Sequence, residues 1–103
     1  MAKAQKGTKL NDWQKLGKQG GICASCTGMQ TYLTVEHIIP VHLLQQMGLI
    51  DLIYEDEENF ELWCRGCNGI KGSRIDPLNP KSGPLMLKYV TEMIKRYAKP
   101  RTT

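Results

Sequence analysis

The sequence predicts a small α+β domain in which two short strands and flanking helices are tied together by a four-cysteine cluster. Three observations carry this reading. Cys23 and Cys26 form one CxxC pair, and Cys64 and Cys67 form a second, 41 residues further on. Residues 31–36 (TYLTVE) and 60–63 (FELW) have the β-branched and aromatic chemistry of short strands. Residues 84–98 (PLMLKYVTEMIKRYA) repeat apolar residues at helical spacing.

At 103 residues the chain fits one domain and hardly two. Aromatics make up only 7% of it, so the core is modest and stapling by metal or assembly becomes useful. The net charge of +4 is unevenly spread. Five lysines against Asp12 make residues 1–20 basic, seven carboxylates make 36–61 acidic, and nine Lys or Arg against Asp76 and Glu92 make 65–103 basic. Two basic ends around an acidic middle fit a polyanion partner, although solubility alone also needs charge. The N-terminal segment has charge but no apolar stretch behind it, so no secretion signal is expected. No apolar run approaches membrane-spanning length. A cytoplasmic chain without membrane contact is the expectation, and four cysteines there point to metal ligation rather than disulfides.

In chain order, residues 1–10 are expected to be a flexible basic arm, 11–80 the core, and 81–103 a C-terminal helical segment. Asn11 or Asp12 can cap a helix over 12–19, with Trp13 and Leu16 on one face and Gly20-Gly21 stopping it. Residues 22–29 form a turn, and a strand follows at 31–36. A short helix is expected at 42–49, weakened by Gly48. The acidic run at 55–58 reads as a solvated face. After the second strand a helix can begin at Asn68 and run to Arg74, until Asp76-Pro77 and Asn79-Pro80 break it. In the last helix Pro84 suits the first position. Leu85, Tyr89, Met93 and Tyr97 form a stripe that Leu87, Val90 and Ile94 widen. That stripe packs on the core, with a homodimer face as the alternative.

Two residues between paired cysteines let both thiolates reach one ion from a tight turn. Two such turns supply four sulfurs, a closed tetrahedral zinc site with a structural role and no open position for chemistry. An iron–sulfur cluster and an accidental pair of thiols are the rivals. Such a staple brings residue 26 close to residue 64. Glu36-His37, at the end of the first strand, and Asn68, after the second knuckle, can then converge. Singly each has an ordinary explanation: a surface histidine, a capping asparagine, a turn at Asn59. Together a carboxylate, an imidazole and an amide oxygen are the parts of a one-metal hydrolytic site. Lys71 and Arg74, three apart on the helix, could hold phosphate oxygens.

The run from the first CxxC through Glu36-His37-Ile38-Ile39-Pro40 to Asn59-Phe60-Glu61-Leu62-Trp63-Cys64-Arg65-Gly66-Cys67-Asn68-Gly69-Ile70-Lys71-Gly72 resembles the HNH endonuclease motif over roughly residues 22–74. The resemblance implies a ββα-metal (His-Me finger) core around one divalent ion, stapled by the four-cysteine zinc. It assigns the catalytic base to His37, the acidic ligand to Glu36, and the asparagine that holds the histidine loop to Asn59. The last motif position, usually a histidine ligand, falls on Asn68. This HNN ending also occurs in the phage recombination endonuclease VII family. A neutral oxygen ligand there favours magnesium or manganese over zinc or nickel. His42, the one other histidine, follows Pro40 and is not expected to reach the site.

The resemblance further implies hydrolysis of a DNA phosphodiester to a 5′ phosphate and a 3′ hydroxyl, by nicking or double-strand cleavage. Lys95, Arg96, Lys99 and Arg101 would add salt-sensitive affinity. It allows action beside a terminase or other DNA-processing complex, in the bacterial cytoplasm if the chain is phage-encoded. A zinc-stapled nucleic-acid-binding module or accessory factor without chemistry is the competing class. It explains the cysteines and the basic ends equally well, but not the Glu36, His37 and Asn68 set.

Overall fold

In the computed structural model, which describes residues 7–98, the first element is helix α1 at Lys9–Lys18. It begins three residues before the expected start because Thr8, not Asn11 or Asp12, is the cap and accepts the Asn11 N–H. The basic arm expected at 1–10 therefore gives up residues 8–10 to this helix and its cap, and residues 1–6 lie outside the described residues. Gly20, at φ +79, ends the segment.

The expected turn at 22–29 is a small hairpin, with β1 (Gly21–Ile22) antiparallel to β2 (Met29–Gln30). Strand β3 is Thr34–His37, three residues further along than the TYLTVE pattern suggested at its start. It pairs antiparallel with β4, Phe60–Trp63, in the register Thr34↔Trp63, Val35↔Leu62, Glu36↔Glu61, His37↔Phe60. Between them lie α2 (Val41–Gln46), α3 (Ile50–Glu55) and a 3-10 turn at Glu57–Asn59. Gly48, at φ +73, divides the two helices, and α3 was not foreseen.

Helix α4 is Arg65–Lys71, starting inside the second CxxC rather than at Asn68. Cys64 is its cap, its sulfur accepting the Cys67 N–H. Asn68 is thus an interior residue of the helix. Helix α5 spans Ser82–Tyr97. Its Leu85 and Tyr89 fill a core with Ile38, Ile39, Leu44, Leu49 and Ile53, while Leu87 and Ile94 face solvent, so the buried stripe is narrower than expected. Arg96 ties α5 to α3 through both carboxylate oxygens of Asp51, at 2.8 and 3.0 Å.

The acidic run is only partly a solvated face. Asp56 is half-buried and accepts the Tyr89 hydroxyl at 2.7 Å and the Lys88 ammonium at 2.8 Å. Burial, and then the Asp56 carboxylate, hold the Tyr89 phenol well above its ordinary pKa. Glu57 accepts the Trp13 indole N–H at 2.9 Å. The turn that carries Asn59 is thereby fastened to both terminal helices.

Helix α1 meets the residue that leads into β3 backbone to backbone. Leu33 donates its N–H to the Gly17 carbonyl at 2.8 Å, and a Cβ on Gly17 would stand 2.4 Å from the Leu33 oxygen. An alanine in a helix normally gains up to about 1 kcal/mol over glycine. At Gly17 the clash wins, and Gly17→Ala is expected to lower unfolding stability by about 1–3 kcal/mol. Gly83, with nothing within 4 Å of its added Cβ, is the control: Gly83→Ala should leave stability unchanged or raise it. Urea melts of the two variants check the sign at each position.

Candidate metal centre and active site

The four cysteine sulfurs, from the β1–β2 hairpin and from the β4–α4 junction, all lie within 4.8 Å of one another. None of the cysteines is in a disulfide. Tetrahedral zinc with bonds of about 2.3 Å sets neighbouring sulfurs about 3.8 Å apart, so this cluster needs little contraction to hold such an ion. Cys23 is fully buried, and its sulfur accepts N–H groups from Ser25 at 3.4 Å, Cys26 at 3.5 Å and Cys64 at 3.2 Å. Burial pushes the Cys23 thiol up, but those donors pull it further down, to about 6. The donor set fits a thiolate-bound structural metal such as zinc. Trp63 and Leu33 pack against the cluster and join it to the start of β3.

Period-two alternation puts Thr34 and Glu36 on one face of β3, and α4 crosses that face. Asn68 and Lys71, three apart on α4, meet them. Asn68 donates through Nδ2 to Thr34 Oγ1 at 2.8 Å, which leaves its Oδ1 available as a ligand oxygen. Lys71 is buried, its ammonium paired with Glu36 Oε2 and donating to the His37 carbonyl at 3.2 Å. Despite that ion pair, Glu36 Oε2 is a buried oxygen with no hydrogen bond of good geometry. Burial pushes the Glu36 carboxyl up, and the bond and charge of Lys71 offset this only in part. Glu36 is thus a buried carboxylate paired with Lys71, and Asn68 carries an amide oxygen on α4; oxygen donors of these kinds suit a hard divalent cation.

His37 ends β3. Its Nε2 lies 2.9 Å from the Ile53 carbonyl of α3, an oxygen that can only accept. The proton therefore sits on Nε2, and Nδ1 is the basic nitrogen. The ring stands edge-on to Phe60, with centroids 5.2 Å apart. Burial lowers the His37 pKa below its ordinary value; the Ile53 bond opposes this and the Lys71 charge adds to it. The loop after His37 is held by Asn59, which is fully buried. Its Oδ1 accepts the Ile39 N–H at 2.7 Å, its Nδ2 donates to the Ile39 carbonyl at 3.0 Å, and its own carbonyl accepts the Ile38 N–H at 2.9 Å.

A cleft of about 360 Å³ is lined by Glu36, His37, Pro40, His42, Gln45 and Ser73. His42 thus borders the same cleft as Glu36 and His37, contrary to the expectation that it stands apart; Pro40 starts α2 so close to β3 that the first turn returns to it. The two residues expected to hold phosphate are placed differently. Lys71 is turned inward to Glu36, and Arg74 folds back onto the Ile70 and Lys71 carbonyls, at 2.6 and 3.2 Å, closing the end of α4. Arg96 is likewise engaged, by Asp51 and Glu92, while Lys99 and Arg101 lie outside the described residues. Sequence reasoning missed Thr34, Ile53 and Phe60 as partners. The strand alternation could have indicated Thr34, but the Ile53 carbonyl has no side-chain signal at all.

Cys64→Ser separates ligation from capping, because serine caps a helix well. Native mass spectrometry should show one zinc per wild-type chain and a loss of zinc from this variant, with a markedly lower melting temperature. Full zinc retention would contradict a four-sulfur site.

The HNH endonuclease family model matches residues 22–74, which span both knuckles, β3, β4 and α4. Neither among curated proteins nor among solved structures does the chain have a significant match. The order of motif residues, the antiparallel pair leading into a helix, and the four clustered sulfurs agree with that match, and the chain belongs to the HNH endonuclease family.

Proposed function

We propose that this chain is a metal-dependent DNA endonuclease that hydrolyses phosphodiester bonds with His37 as general base. The observation that carries the reading is the anchoring of His37 Nε2 on the Ile53 carbonyl, which leaves Nδ1 basic in a cleft shared with Glu36. A pKa held below the ordinary histidine value keeps that nitrogen unprotonated at neutral pH, ready to take a proton from the attacking water.

Glu36 and Asn68 are the residues that would hold a magnesium or manganese ion, through Oε2 and Oδ1 respectively. Such an ion, when bound, neutralises the charge that builds on the phosphate and the departing 3′ oxygen. Asn59 positions the base: both polar atoms of its amide are used on Ile39, so the loop bearing His37 is fixed before substrate arrives. His42, Gln45 and Ser73 put hydrogen-bonding side chains on the cleft walls, where a phosphate oxygen would be received. The four-cysteine zinc has no part in the chemistry and serves to hold β3 against α4.

The test is nicking of supercoiled plasmid with magnesium or manganese. The wild-type chain should cleave. His37→Ala should keep its zinc and its fold and lose activity by at least about 100-fold, the scale of a missing general base. Undiminished cleavage by that variant would remove His37 from the role.

A further inference from the structure

The buried pairing of Lys71 with Glu36 has a consequence for the ion. Glu36 is 4% exposed and Lys71 7% exposed, so each charge has left water and depends on the other. Lys71 also donates to the His37 carbonyl, so one ammonium neutralises the carboxylate and braces the residue next to it. It contacts Oε2, the same oxygen that lacks a well-formed hydrogen bond. A divalent cation on that oxygen would face the ammonium at close range in a site with little water to screen the repulsion.

We propose that Lys71 is a built-in competitor for the divalent ion: its ammonium occupies the cation position on Glu36 until the metal displaces it. The proposal rests on the reading of Glu36 as a metal ligand. The lysine stem is long and flexible, and a second place exists for its head. Lys71 also borders a cavity of about 410 Å³ whose lining includes Asp76, and on this proposal the released ammonium would turn into that cavity. The exchange leaves Glu36 neutralised in both states, so the buried carboxylate is never unpaired. It also weakens ion binding, because the metal must replace a cation that is already there.

The experiment uses the zinc-loaded full chain and manganese alone as the probe, with bound ion measured by electron paramagnetic resonance. Lys71→Met keeps the length of the stem and removes the charge. It should bind manganese at least tenfold more tightly than wild type, and the double variant with Glu36→Gln should lose that gain. Manganese should also raise the melting temperature of Lys71→Met more than that of wild type. Equal or weaker binding by Lys71→Met, with Glu36-dependent binding intact in wild type, overturns the competitor while leaving the metal site standing. Binding that ignores Glu36→Gln in both backgrounds overturns the site and the competitor together. If Lys71→Met does not fold, Lys71→Arg supplies the opposite arm. Its guanidinium grips a carboxylate through two hydrogen bonds and should weaken manganese binding severalfold; unchanged or tighter binding there counts against the proposal.

Discussion

Cys23 Sγ accepts the backbone N–H of Cys64 at 3.2 Å, and the geometry of the site depends on that junction. It draws the hairpin before β3 against the turn that starts α4, so β3 and α4 meet at their beginnings. At the other end of the sheet, Asn59 holds Ile39 through both atoms of its amide. The β3–β4 pair is four residues long on each side, too short to hold its register on hydrogen bonds alone. Fixed at both ends, it presents Glu36 to α4 and His37 to α3.

The two neighbouring residues are prepared in different ways. Glu36 is buried as an anion and neutralised by Lys71, so the chain carries a charge there without leaving it uncompensated. His37 is kept neutral by burial, and its tautomer is set by a backbone carbonyl that cannot donate. In the proposed site a general base and a metal ligand would thus stand side by side. One is uncharged and the other charged, each held by an element that the knuckles and the Asn59 turn keep in place.

Much of this was legible in the sequence, for reasons that can be named. The CxxC spacing encodes a metal knuckle because two intervening residues suffice to converge two sulfurs, and FELW became β4 at its expected bounds. The strand at TYLTVE slid to Thr34–His37 because Gly17 of α1 packs against Leu33, a tertiary contact that no local pattern reports. Helix α4 starts early because the second knuckle is itself the cap, which moves Asn68 into the body of the helix. The spacing of Lys71 and Arg74 on a helix suggests a clamp for phosphate oxygens, yet the place of Lys71 one turn from Asn68 and opposite Glu36 turns it inward. Asp56 looked like one of four solvated acids until the Tyr89 hydroxyl singled it out, a pairing across 33 residues that charge pattern alone does not disclose.

Glu36, His37 and Asn68 are proposed to form one ion-dependent hydrolytic site. Anomalous diffraction from crystals of the zinc-loaded chain soaked with manganese addresses it most directly. A manganese peak is expected about 2.0–2.2 Å from a Glu36 carboxylate oxygen and from Asn68 Oδ1, on the cleft side of His37, in addition to zinc at the four sulfurs. A manganese peak bound elsewhere, with Lys71 still on Glu36 and Asn68 still turned only to Thr34, would contradict it.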